Sequence, residues 1–216
     1  MSTVFITGAT GYMGTRLINE LNKEGVHTIK ALVRKQSEHK LPPGCEAVYG
    51  DALNAATYQD EVKGADVFVH LVGVAHPSPA KKEQFRKIDL VSVQEAAKAA
   101  AHAGVAHFIY LSVSMYPIKI MKDFQQARAE GEELLLSMGM QTSFLRPWYV
   151  LGPGHWWPLV LKPFFLIAKL IPSKREAAQH LDTVTIKQMI AALKYAIGHP
   201  PESKAVYEVG EIKRMS

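Results

Sequence analysis

Gly8, Gly11 and Gly14 recur at intervals of three in the run Thr7-Gly8-Ala9-Thr10-Gly11-Tyr12-Met13-Gly14, directly after a β-branched and aromatic stretch at residues 3–7. At a strand-to-helix junction this spacing suits an anion. The first glycine takes the tight turn off the strand, the second lets a pyrophosphate approach the backbone, and the third allows close helix–strand packing. The N–H groups and positive dipole at the helix start then face the phosphates, and Thr10, Tyr12 and Met13 join the expected contacts. Arg34 ends the next apolar run, about twenty residues on, where a fold that prefers NAD(H) carries a carboxylate for the ribose hydroxyls. A guanidinium instead suits a 2′-phosphate, which makes NADP(H) the expected cofactor ahead of NAD(H). After a third apolar run, Tyr49-Gly50-Asp51-Ala52 brings Asp51 and Ala52 to the adenine end, where an adenine amino group could donate to the carboxylate.

His76, in His76-Pro77-Ser78-Pro79, follows the fourth apolar run and falls on the edge where a nicotinamide and its substrate would meet; it is a candidate proton donor, with a plain loop role as the alternative. Nine histidines raise the question of a metal, but no His-x-x-x-His pair or carboxylate cluster accompanies them, and no metal site is expected. Ser112 lacks a Gly-x-Ser-x-Gly elbow, which disfavours acyl transfer. Cys45 is the only cysteine, so no intrachain disulfide can form.

These residues must be held by a frame, and short β-branched runs alternating with helical stretches supply one. Strands are expected at 3–7, 28–33, 47–49, 67–71, 108–112 and 142–145, and helices at about 15–23, 54–62, 84–103 and 125–138, closed by Gly25, Gly64, Gly104 and Gly139. The pattern predicts an α/β fold, a doubly wound parallel sheet of Rossmann type in a single domain, with residues of about 147–204 as a small lid on the substrate side. Over 216 residues, 48% hydrophobic and 21% charged composition fits a soluble globular chain, and the opening segment reads as a strand, which implies a cytoplasmic location. The net charge of +5 is scattered, so a small-molecule substrate is expected and nucleic acid is not. Residues 156–171 are the most apolar part but hold Lys162, Lys169, Pro158 and Pro163. They predict a packing helix, a lid over an apolar substrate or a membrane-surface contact rather than a span. The oligomeric state is not legible.

With these residues placed, the chain resembles the short-chain dehydrogenase/reductase superfamily in its atypical, extended-like branch. The glycine loop carries the resemblance, with Gly50-Asp51, His70-Leu71-Val72-Gly73, Phe108-Ile109-Tyr110-Leu111-Ser112 and Leu145-Arg146-Pro147-Trp148-Tyr149-Val150-Leu151-Gly152. It implies that Val72 and Gly73 line the cofactor and that Pro147 borders the nicotinamide. Active members pair a serine, here Ser112, with Tyr-x-x-x-Lys, whose phenol exchanges a proton while hydride moves. Sliding that pattern onto this chain gives Phe124 for the tyrosine and Arg128 for the lysine, so the usual acid is absent while Arg128 can still hold a ribose or phosphate. Tyr116 is a substitute acid or a packing residue. Three functions follow: an NADP(H)-dependent oxidoreductase for an apolar or planar acceptor, a non-catalytic NADP(H)-binding sensor or assembly subunit, and a cofactor-retaining epimerase or dehydratase.

Overall fold

The computed structural model describes residues 2–155 and 171–215. Seven parallel strands form one sheet: β1 (Ser2–Thr7), β2 (His27–Val33), β3 (Glu46–Tyr49), β4 (Val67–His70), β5 (His107–Leu111), β6 (Gln141–Arg146) and, last in the chain, β9 (Lys204–Glu208). Their spatial order is β3-β2-β1-β4-β5-β6-β9. A second, two-stranded parallel pair joins β7 (Tyr149–Leu151) to β8 (Thr183–Thr185). The described helices are α1 (Gly14–Glu24), α2 (Val91–His102), α3 (Lys122–Ser137), α4 (Pro172–His180), α5 (Ile186–Gly198) and α6 (Val209–Ile212). Strand order reverses between β1 and β4, which opens a crevice at their carboxyl ends.

The strands alternate in side-chain size as well as direction. Val4, Ile6, Val67, Val69, Ile109 and Leu145 face α1, α5 and α6. Phe5, Phe68, Phe108, Tyr110 and Phe144 face the other way. The register sets Phe5 beside Phe68 and Phe68 beside Phe108, with ring centroids 5.1 and 5.0 Å apart. Against this aromatic face lies α2, whose Ala96, Ala97, Ala99 and Ala100 are fully buried. Bulk on the sheet against alanine on the helix lets the two layers approach closely.

The expected strands and the doubly wound sheet are present, and the four closing glycines all adopt positive φ. Four details differ from the sequence expectations. Residues 54–62 form two 3₁₀ turns, Ala55–Thr57 and Gln59–Val62, because Tyr58 leaves helical geometry (φ −150°) to bury its ring beside Phe5. The helix expected at 84–103 opens with a short turn, Lys82–Gln84, and a π-helical turn, Phe85–Leu90, that buries Phe85, Asp89 and Leu90. Within the span expected to be a lid, α5 is a core layer: Met189, Ile190, Leu193 and Ile197 pack under the aliphatic face, and Thr185 with Gln188 caps the helix in a reciprocal box. β9 adds a seventh strand, at the sheet edge, that its run of mixed charged and apolar residues does not announce. The apolar segment at 156–171 lies outside the described residues except for Ile171, and no helix among the described residues is long and apolar enough to cross a membrane.

Candidate functional site

Gly8 leaves β1 at φ +74°, and a Cβ there would stand 2.8 Å from the Leu71 carbonyl carbon. A Cβ on Gly14 would collide with the Gly8 carbonyl oxygen and the Ala9 backbone. Gly11 differs: its φ is ordinary, and its missing Cβ meets only the Gly8 oxygen, at 3.0 Å. The loop is tied by Gly11 N–H donating to Gly8 O at 2.9 Å and Thr15 N–H to Gly11 O at 3.1 Å. Helix α1 starts with no side-chain cap and no acid in its first turn, so its amino end is left to an outside anion.

Beneath the crevice a chain of buried polar groups joins the strands. The His70 ring nitrogens bond the Thr7 hydroxyl at 2.8 Å and the Ser92 hydroxyl at 3.2 Å. Burial, helped by the positive charge of Arg128, pushes the His70 pKa down to about 3, so the ring is neutral. Asp89, in the π-helical turn, accepts the Val74 N–H at 3.2 Å and pairs with Arg128. Burial pushes the Asp89 carboxyl up, and Arg128 opposes it. Arg128 also donates to the Leu111 carbonyl at 2.8 Å, while its buried Nε has no partner among the described residues.

Two cavities run along the carboxyl edge and meet at Gly8. The first, about 320 Å³, gathers Thr10, Arg34, Ser37, Asp51, Ala52 and Val72. Arg34 is exposed there and makes no ion pair among the described residues. Asp51 turns its Oδ1 to the Leu53 N–H at 3.0 Å, which leaves its other oxygen for a ligand. The second cavity, about 540 Å³, is lined by Gly11, Tyr12, Met13, Gly14 and Gly73 on the loop side, and by His76, Arg128, Tyr149 and His155. The glycine cradle and the uncapped helix end fit the diphosphate of a dinucleotide.

Not every expected residue enters this cleft. Tyr116 is half-buried and stacks on His180 with centroids 5.6 Å apart, and it does not line either cavity. Ser112 is buried behind Leu111, its hydroxyl without a partner among the described residues. Pro147 stands off the lining and offers its carbonyl to the Ser114 N–H at 3.0 Å. Phe124 is buried against Phe85, 4.9 Å between centroids, and carries no proton to exchange. Arg128 holds Asp89 and a strand carbonyl, a use the sequence reading as a ribose or phosphate ligand leaves out. Ser37 and His155 line the cleft without a sequence signal, because only the fold brings their loops to one edge, and Tyr149, within the Leu145–Gly152 motif, joins them from β7.

Residues 8–150 match a family described as NAD(P)H-binding. A ceramide reductase of Caulobacter vibrioides is 29% identical over 153 residues, which span 70% of this chain and 47% of that protein, so the chain matches about half of that relative's length. A UDP-glucose 4-epimerase of Vibrio cholerae is 24% identical over 97% of this chain and 70% of its own length. Among solved structures, MoeE5 in complex with UDP-glucose and NAD superposes with a TM-score of 0.73 at 20% identity, covering 97% of this chain and 79% of that one. With its glycine loop, its switch-point cleft and a family match across most of its length, the chain belongs to the NAD(P)H-binding family, within the extended short-chain dehydrogenase/reductase superfamily.

Proposed function

We propose that the protein is an NADP(H)-dependent oxidoreductase that reduces an apolar or planar carbonyl-type acceptor without a Tyr-Lys pair. The observation that carries this reading is the exposed Arg34 guanidinium, without an ion pair among the described residues, at one end of a cleft that continues past the glycine loop to His76. Arg34, with the Ser37 hydroxyl beside it, would hold a 2′-phosphate; Asp51 and Ala52 would flank the adenine; Gly8, Thr10, Gly11, Tyr12, Met13 and Gly14 would wrap the diphosphate. Val72, in the first cavity, and Gly73, in the second, would line the cofactor between them. When bound, the dinucleotide supplies hydride. The chain's own part is to orient the acceptor and deliver a proton, for which His76 stands in the cleft while Tyr116 does not. The ceramide reductase relative acts, by its name, on a lipid, which supports an apolar substrate.

A second reading, an NADP(H)-binding protein without catalysis, is favoured by Phe124 at the family's tyrosine position. Incubating the protein with NADPH deuterated at C4 and a panel of long-chain ketones and aldehydes separates the two. Deuterium appearing on a product carbon, one per NADPH consumed, supports the reductase; bound NADPH that is never consumed supports the second reading.

A further inference from the structure

The outer wall of the cleft is a column of flat groups. The Arg16 guanidinium lies 4.0 Å over the Tyr12 ring centroid and donates to the Tyr12 carbonyl at 2.7 Å. Tyr12 meets His155 tilted, with centroids 4.3 Å apart and 53° between the ring planes. His155 stacks on His76 at 5.0 Å, with 13° between the ring planes. Tyr12, His155 and His76 come from the glycine loop, the turn after β7 and the loop after β4, and all three line the same cavity.

The loop that carries His76 is held from several sides. His76 has φ +50° and is the only non-glycine residue at positive φ among the described residues. Such a conformation costs energy and persists where the surroundings impose it. Here the Lys81 ammonium donates to the Ala75 carbonyl at 2.6 Å, and Asp89 accepts the Val74 N–H. His155 is fixed by its own N–H to the Gly152 carbonyl at 2.8 Å, in a turn closed by Gly154 at φ +83°.

We propose that His76 and His155 act as an imidazole pair, in which His76 delivers the proton to the oxygen of the reduced acceptor and His155 is the positioning residue that aims the His76 ring. The inference rests on the reductase reading above. In the step, the acceptor carbon gains hydride from the reduced dinucleotide, which is thereby oxidised. The C=O π pair moves onto oxygen, and that oxygen takes the proton of the His76 imidazolium, leaving a neutral ring that solvent reprotonates. His76 is exposed, which keeps that return path open. Burial first, then the charges of His76 and Arg16, push the His155 imidazole below its usual range. The other charged or titratable groups facing the pair are Arg16 and Tyr12 on the glycine-loop side, Arg128 below Gly73, Tyr149 on β7 and Lys81 beyond Ala75. Two stacked imidazoles 5.0 Å apart do not both hold a proton at low cost.

The test uses His76→Asn, since Asn tolerates positive φ, with His155→Ala and His155→Phe, the last keeping a flat ring that cannot titrate. In the nucleotide-free chain, proton NMR of the imidazoles should show the His155 midpoint moving up in His76→Asn, because one of the charges that lowers it is gone. With NADPH and a reducible acceptor, His76→Asn should lower kcat about a hundred-fold at unchanged KM for NADPH. His155→Ala should lower kcat about ten-fold, and His155→Phe should recover most of that loss. An unmoved His155 midpoint, or wild-type turnover in His76→Asn, overturns the pair while the reductase reading stands. A wild type that binds NADPH and reduces no acceptor overturns the reductase reading and the pair together.

Discussion

Burying the Arg128 guanidinium beside Asp89 takes two charges out of water, and the geometry that compensates for this is specific: Asp89 also accepts the Val74 N–H, and Arg128 also holds the Leu111 carbonyl. Removing one partner leaves the other charge buried alone, at a cost of about 3–5 kcal/mol. Arg128→Ala should therefore lower the urea midpoint sharply, whereas the double change Arg128→Met with Asp89→Leu should return most of the stability. Phe124→Leu, at a position with no proton to give, should leave reductase turnover within about ten-fold, a ceiling of about 1.4 kcal/mol. A stable Arg128→Ala protein, or a Phe124→Leu protein that binds cofactor but has lost turnover, would contradict this assignment. The glycine loop was legible because residue type and spacing carry its chemistry. The Asp89–Arg128 pair was not, since 39 residues separate its members and only the packing of the π-helical turn on α3 joins them.

The three glycines of the β1–α1 loop look alike in sequence and differ in what surrounds them. Gly14 leaves no room for a Cβ between backbone atoms, while Gly11 has ordinary φ and a missing Cβ that meets one carbonyl oxygen and otherwise faces the cleft. Gly11→Val should thus fold and lose NADPH binding, whereas Gly14→Val should lose several degrees in Tm before binding can be measured. Folded Gly11→Val that still binds NADPH would remove this residue from the phosphate site. Strands β1 to β6 were readable because apolar residues cluster in short β-branched and aromatic runs, as in Val4-Phe5-Ile6 and Val67-Phe68-Val69. The segment around Tyr58 misled that reading: its helical spacing gave way to a buried ring, a case of packing overriding local preference. β8 is only three residues long, and β9 is an edge strand with charged ends that buries only Tyr207, so neither stands out, and α5 betrays no side of the sheet until β9 fixes the course of the chain.

Across the whole molecule, buried neutral imidazoles tie stability to pH. His70 is fully buried with its pKa pushed down to about 3, and burial pushes His107 down to about 4. Both folded values lie below that of an unfolded histidine, near 6.5, so the unfolded chain binds more protons below that pH. Stability is therefore full above about pH 6.5 and is lost as pH falls toward 4, by about 2 kcal/mol for each histidine between pH 7.5 and 5. Urea titrations at the two pH values check this, and a flat profile would contradict it; His107→Asn should flatten the profile in part. Titration of NADPH and NADH against wild type and Arg34→Ala decides which dinucleotide the crevice at the β1–β4 switch point takes. Wild type should bind NADPH about ten- to a hundred-fold more tightly, the scale of one charge-assisted contact, and Arg34→Ala should bring the two affinities together; equal affinities in wild type would remove Arg34 from the 2′-phosphate site.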